Sequence, residues 1–262
     1  MVLPIADDNS DVTIFPVVNL ALIAINVLVF VLFQGMGYNT DFTMAWSMVP
    51  AEIVSGQDIV SDDSMIEVET EYGVEEVVRP GLRPTPVPVY LTILTAMFMH
   101  GGIAHLLGNM WFLWVFGDNI ENDLGWLRYL IFYLTCGVLA SGAHLLFNSS
   151  GEAAMIPCLG ASGAISGVMG AYIVNHPGRR VTVLLGRAVV NVTGIIAVGI
   201  WFAFQLISGL GMLGGGGGGV AYGAHIGGFI AGAALIKPFM AGHPGTAPPP
   251  MNFHDGPGLR TR

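Results

Sequence analysis

The sequence predicts an all-α, polytopic membrane fold, a bundle of six membrane-spanning helices with an extended loop between the first and the second. Two observations carry that prediction. Of the 262 residues 53% are apolar and only 10% charged, where a soluble domain carries roughly 25% charged residues. Six long windows also contain no Asp, Glu, Lys or Arg: Phe15–Gln34, Leu91–Phe116, Leu130–Phe147, Met155–Val174, Ala188–Leu210 and Val220–Ile236. A spanning helix needs about 17–25 such residues.

Along the chain, residues 1–14 form a short acidic segment with Asp7, Asp8 and Asp11, outside the membrane domain of residues 15–236. The first window reads as a retained span, because no basic segment precedes it and its apolar run exceeds a signal-peptide core. Residues 35–90 form an acidic, Pro-rich insert, with nine carboxylates between Glu52 and Glu76 and then the run Arg79–Pro88. This insert is either a solvated, water-facing segment or a lid or docking surface for substrate. Loose alternation from Ile66 to Val78 around Gly73 predicts a short hairpin. Gly214 to Gly219 is a run with no preferred conformation, readable as a plain loop or as a mobile cap. Residues 237–262, with Pro248-Pro249-Pro250, read as a poorly ordered tail.

Orientation follows from the basic residues. Arg128, Arg179, Arg180, Arg187, Lys237, Arg260 and Arg262 fall on one side of the six windows, and only Arg79 and Arg83 on the other. Basic residues collect in the cytoplasm, so both termini are expected there. A net charge of −9 argues against a nucleic-acid partner. Cys136 and Cys158 are expected to be unpaired.

Polar side chains inside spans are costly and face the bundle interior. His105 and Asn109 sit four apart in the second window and share one helical face. Ser162 lies near the start of the fourth window and His225 near the start of the sixth. All four fall at a similar shallow depth below the outer surface. A serine hydroxyl becomes a nucleophile when an imidazole takes its proton, and acyl transfer needs donors aimed at the developing oxyanion. Asn109, His105 and the Ser162 backbone N–H are candidate donors. The six windows hold no carboxylate, so the expected arrangement is a Ser–His dyad. Gly160, Gly163, Gly167 and Gly170 in the fourth window, with Gly223, Gly227, Gly228 and Gly232 in the sixth, supply small-residue faces for close helix approach. Ser166, one turn deeper than Ser162, reads as a packing residue, as does His144. His100 heads the second span and reads as support for its loop.

These residues resemble the rhomboid family of intramembrane serine proteases. The resemblance rests on His100-Gly101-Gly102-Ile103-Ala104-His105-Leu106-Leu107-Gly108-Asn109, on Gly160-Ala161-Ser162-Gly163 and on Ala224-His225-Ile226-Gly227-Gly228, in that order. It covers about Phe15 to Ile236 and leaves out the acidic insert and the tail. It implies Ser162 as nucleophile and His225 as general base, with His105, Asn109 and Gly160 around the oxyanion and His100 and Gly163 in support. It further implies single-span transmembrane substrates cut near the outer face of a plasma (inner) membrane, contact with membrane lipid, and no metal or organic cofactor. Three departures stand out, the first being an insert between the first and second spans that is longer than in the minimal members. Many relatives carry Trp-Arg ahead of the second span, where Leu91-Thr92 stands here, and an aromatic residue four after the nucleophile, where Ser166 stands. The histidine is then positioned by some other side chain. The alternative reading is a non-proteolytic rhomboid-like protein that binds membrane clients; a proton-coupled transporter is a third, disfavoured by carboxylate-free spans.

Overall fold

A helix lies in each of the six expected windows, and a computed structural model describes residues 2–70, 73–212 and 222–242. Helix α1 (Val17–Leu28) runs on as a π-helical turn to Phe33. The long helices that follow are α5 (Ile103–Leu124), α6 (Trp126–Asn148), α7 (Ser162–Asn175), α8 (Gly194–Met212) and α9 (Tyr222–Met240). Between α1 and α5 lie the short α2 (Thr40–Trp46), α3 (Pro50–Ser55) and α4 (Thr92–Thr95). Among the described residues, α6 and α9 are by themselves long and apolar enough to cross a membrane. The segment 89–98 joined to α5 makes a third such helix if the pair, bent by 78°, is taken as one. The apolar stretches 17–33 and 194–207 are shorter.

Three expectations need correction. The second window is not one straight helix: α5 begins only at Ile103, because Gly102 is fully extended and His100-Gly101-Gly102 break the chain. The fourth and fifth windows begin too early, since residues 156–161 are not helical and Ala188–Thr193 is a strand. The fold is also not all-α. Strands β1 (Val2–Asp7), β4 (Arg180–Leu185) and β5 (Ala188–Thr193) form an antiparallel sheet in the order β1-β4-β5. The acidic segment 1–14 therefore contributes an edge strand to this sheet. Val181 and Val183 of β4 are buried while their neighbours are more exposed, which is the period-two burial of a strand with one covered face. The expected hairpin in the insert is present as β2 (Ser64–Thr70) and β3 (Gly73–Arg79), paired from Ser64↔Arg79 to Thr70↔Gly73. Helix α9 continues through Pro238 to Met240, past the expected end at Ile236. The glycine run and residues 243–262 of the tail lie outside the described residues.

The core lies where α5, α6, α7 and α9 meet, around Leu113, Phe116, Phe132, Tyr133, Val168 and Met169. Glycines set the spacing there. A Cβ on Gly228 would overlap the Gly163 carbonyl oxygen, one on Gly232 the Gly167 carbonyl, and one on Gly170 the Phe229 carbonyl. Helices α7 and α9 therefore touch backbone to backbone, as small residues permit in membrane helices. The other glycine pair of α9 serves a different neighbour: Gly223 and Gly227 pack on Ala143 of α6. Large apolar side chains such as Leu107, Trp114, Leu146, Phe204 and Ile230 remain exposed on the outside, as expected of a surface bathed in lipid.

Polar side chains fasten the remaining parts. Glu121 of α5 accepts from the Val18 and Asn19 N–H groups at 2.9 and 2.7 Å, capping the free amides and positive dipole end of α1. Gln34, just after α1, donates to the His100 carbonyl at 2.8 Å and accepts from the His100 N–H at 2.9 Å. That two-way clasp satisfies the backbone at the break before α5, where no helix can. The far end of α7 meets β1: Tyr172 Oη and Asn119 Nδ2 donate to Asp7 Oδ2 at 2.8 and 2.9 Å. Arg179 bridges the same region, donating to Asn119 Oδ1 and, at 2.5 Å, to Asp11.

Candidate functional site

Ser162 is the first residue of α7, and the segment ahead of it is held in place by backbone pairing. Met48 and Cys158 exchange hydrogen bonds of 3.1 and 2.7 Å, and the Gly160 N–H donates to the Ala96 carbonyl at 2.8 Å. Gly160 has φ +126°, a conformation that residues with a Cβ rarely adopt. A Cβ there would also lie 2.9 Å from His105 Cε1 and 3.0 Å from His105 Nε2. Glycine at this position thus lets the His105 ring lie against the turn that leads into Ser162.

His225 sits in the first turn of α9. Its Nε2 is 2.7 Å from Ser162 Oγ. On the other side of the ring, Nδ1 is 2.8 Å from Gln205 Oε1 of α8. Trp201, one turn before Gln205, places its ring 6.2 Å from the imidazole, and Tyr222 stands edge-on at 6.3 Å. The α7–α9 glycine interface makes the first of these contacts reachable, since it holds the two backbones at minimal separation just below Ser162 and His225.

On α5, His105 Nδ1 accepts from the Gly101 N–H at 3.3 Å. A ring nitrogen that accepts carries no proton, so the His105 N–H is at Nε2, on the side of Gly160. The His100 ring stands edge-on to His105 with centroids 5.1 Å apart, and His100 is buried with its backbone held by Gln34. Asn109 lies one turn beyond His105; its side chain is buried, and Nδ2 has no hydrogen-bond partner among the described residues. A buried amide donor without a partner is costly to the resting fold and suits a site that receives an acceptor.

The structure therefore brings Ser162, His225, His105 and Gly160 together, with His100 behind His105 and Asn109 on the same face of α5. Gly163 belongs to the packing: a Cβ there would lie 2.7 Å from Ala140 Cβ. Ser166 Oγ donates to the Ser162 carbonyl at 2.6 Å, the back-bonding expected of a serine inside a helix. Cys136 and Cys158 are free. Two residues escaped the sequence reading. Gln34 and Gln205 are single amides at the end of, or inside, apolar runs, and no spacing rule marks them. A small pocket of about 30 Å³ adjoins Ser162, lined by Met48, Met97, Gly137, Ala140, Ser141 and Ala224 among others.

Comparison with known proteins identifies the family. The rhomboid domain model matches residues 88–241. Rhomboid protease GluP of Bacillus subtilis (strain 168) is 36% identical over 148 residues, covering 56% of this chain and 26% of its own. RHOMBOID-like protein 4 of Arabidopsis thaliana is 32% identical over 177 residues, 64% of this chain and 38% of its own. The human Presenilin-associated rhomboid-like protein, mitochondrial, is 32% identical over 92 residues, 35% of this chain and 24% of its own. The chain thus spans between 24% and 38% of the length of these relatives. It belongs to the rhomboid family, whose matched domain leaves out β1, α1 and the acidic insert.

Proposed function

We propose that this member of the rhomboid family is an intramembrane serine endopeptidase that cleaves single-span membrane proteins near the extracytoplasmic face. The observation that carries the reading is the 2.7 Å approach of Ser162 Oγ to His225 Nε2. In this reading the helices in the six windows span a plasma (inner) membrane, with both termini in the cytoplasm and the start of α7 just below the outer surface.

The chemistry runs as acyl transfer. His225 Nε2 takes the Ser162 proton as Oγ attacks the scissile carbonyl carbon, whose oxygen gains the negative charge. The Ser162 backbone N–H opens α7, where a helix offers it no acceptor, and with His105 Nε2–H and Asn109 Nδ2 it would receive that charge. One such donor is worth about 10²–10³ in rate. The C–N bond then breaks, and the leaving amine takes the proton from His225. Water, deprotonated by the same imidazole, attacks the ester and frees Ser162. No step calls on a metal or cofactor. The small residues Gly137, Ala140, Ser141 and Ala224 lining the pocket beside Ser162 suit a substrate segment with small side chains. Such a segment also leaves a helix easily, exposing its carbonyl.

Ser162→Ala is expected to abolish cleavage of a membrane-anchored model substrate in proteoliposomes while leaving the thermal unfolding midpoint within a few degrees. A fluorophosphonate probe should label the wild type and not that variant. Wild-type turnover by Ser162→Ala would refute the proposal.

A further inference from the structure

We infer that Gln205 is a positioning residue that fixes the tautomer of His225. The inference rests on the reading of Ser162 and His225 as nucleophile and base. A neutral imidazole has one protonated nitrogen and one lone pair, and the group hydrogen-bonded to one nitrogen decides the state of the other. To take the serine proton, His225 needs its lone pair at Nε2, and therefore its proton at Nδ1. A proton at Nδ1 needs an acceptor, and Gln205 Oε1 stands 2.8 Å away.

The placement of Gln205 argues that this contact is its purpose. The residue is buried, in the apolar stretch 194–207 of α8. Burying an amide there without a partner is costly, and its oxygen faces His225. Trp201 and Gln205 are four apart, so α8 presents one face, a ring and an amide, to the imidazole. Among the described residues, the titratable groups that act on His225 are His105 on α5 and His144 on α6, and the Tyr222 ring of its own helix stands beside it. None of these is a carboxylate. Gln205 thus stands where serine proteases with a triad place an aspartate, whose duty is to hold the imidazole in the right tautomer and orientation. A neutral amide does this without stabilising the imidazolium to the same degree.

The test uses the full-length protein in detergent or proteoliposomes, with three substitutions. Gln205→Leu should lower kcat by about ten- to hundredfold, less than the roughly 10²–10⁴-fold of a general base itself because the base remains and only its tautomer is released, with KM changed less than about twofold. Gln205→Glu, of the same length, should restore most of kcat and move the acid limb of the pH–rate profile to higher pH, because a carboxylate beside the ring favours its charged form. A role confined to packing would move neither the split between kcat and KM nor the limb. Gln205→Met, which keeps length without a strong acceptor, should behave as Gln205→Leu and guards against loss of fold. Nitrogen-15 spectra of histidine-labelled Ser162→Ala protein read the tautomer directly, independently of turnover. The inference requires a proton on Nδ1 of His225, and a mixture of tautomers once Gln205→Leu is added. A proton on Nε2 with Gln205 intact, or Gln205→Leu with unchanged kcat and pH profile, would overturn it. Fluorophosphonate labelling that persists in Ser162→Ala would instead sink the enzyme assignment and leave the tautomer result standing.

Discussion

Gly160 shows how much one missing Cβ accomplishes. Its φ of +126° turns the chain into α7, and the space above it is filled by the His105 ring. Gly160→Ala would strain the turn and displace the imidazole whose Nε2 lies against it. We expect cleavage to fall at least about tenfold, the scale of a lost oxyanion donor being 10²–10³. Stability should fall by about 1–3 kcal/mol for the backbone strain. Parallel activity and thermal-unfolding measurements check both. At this scale the site was largely legible. His105 and Asn109 share a helix face by spacing alone, and Ser162 with His225 can be matched by depth. Gln205 was not legible, because a lone amide carries no periodicity and its partner lies on another helix.

The α7–α9 contact is the element on which the site depends. Gly228 and Gly232 leave no room for a methyl group against the Gly163 and Gly167 carbonyls, and backbone cannot rotate away as a side chain can. Gly232→Ala is expected to cost at least the 1–3 kcal/mol typical of overpacking and to reduce cleavage by parting Ser162 from His225. Gly142→Ala in α6, where a Cβ meets nothing within 4 Å, should be neutral or stabilising by up to about 1 kcal/mol. Thermal unfolding in one detergent compares the two. Hydropathy windows located these helices well and their ends poorly. Ile156–Leu159 and Ala188–Val192 are apolar enough to extend a window, yet the first is not helical and the second pairs with β4. The signal for β4–β5 was present in the alternating valines around Gly186-Arg187, and the hydropathy average submerged it. The kink before α5 was hidden in the same way, since His100-Gly101-Gly102 occupies only one turn of an otherwise apolar run.

Across the whole molecule, β1 ties the chain's early residues to the base of α7 through Asp7. Burial outweighs the hydrogen bonds from Tyr172 and Asn119 and the nearby Arg179, and raises the Asp7 carboxyl above its ordinary value. Folded Asp7 therefore holds its proton to higher pH than unfolded Asp7, so its contribution favours docking below the ordinary value of about 4. That contribution is lost as pH rises through the raised value. Asp7→Asn keeps an oxygen able to accept both bonds and should cost less than about 1 kcal/mol, with this part of the pH slope removed. Asp7→Ala leaves Tyr172 and Asn119 without their acceptor and should cost about 1–3 kcal/mol. Hydrogen exchange of the β1 amides, followed against pH in all three proteins, reads the difference. Hydropathy and motifs revealed the bundle, but this strand was invisible to both, because its partner is far off in sequence.

That distance shapes how the protein is made. Val2 pairs with Leu185, so the ribosome releases β1 well before the strand that will receive it exists. During synthesis the first residues must wait, unpaired, while most of the bundle enters the bilayer. Seating β1 then becomes a closing step of assembly, one that comes after insertion rather than with it.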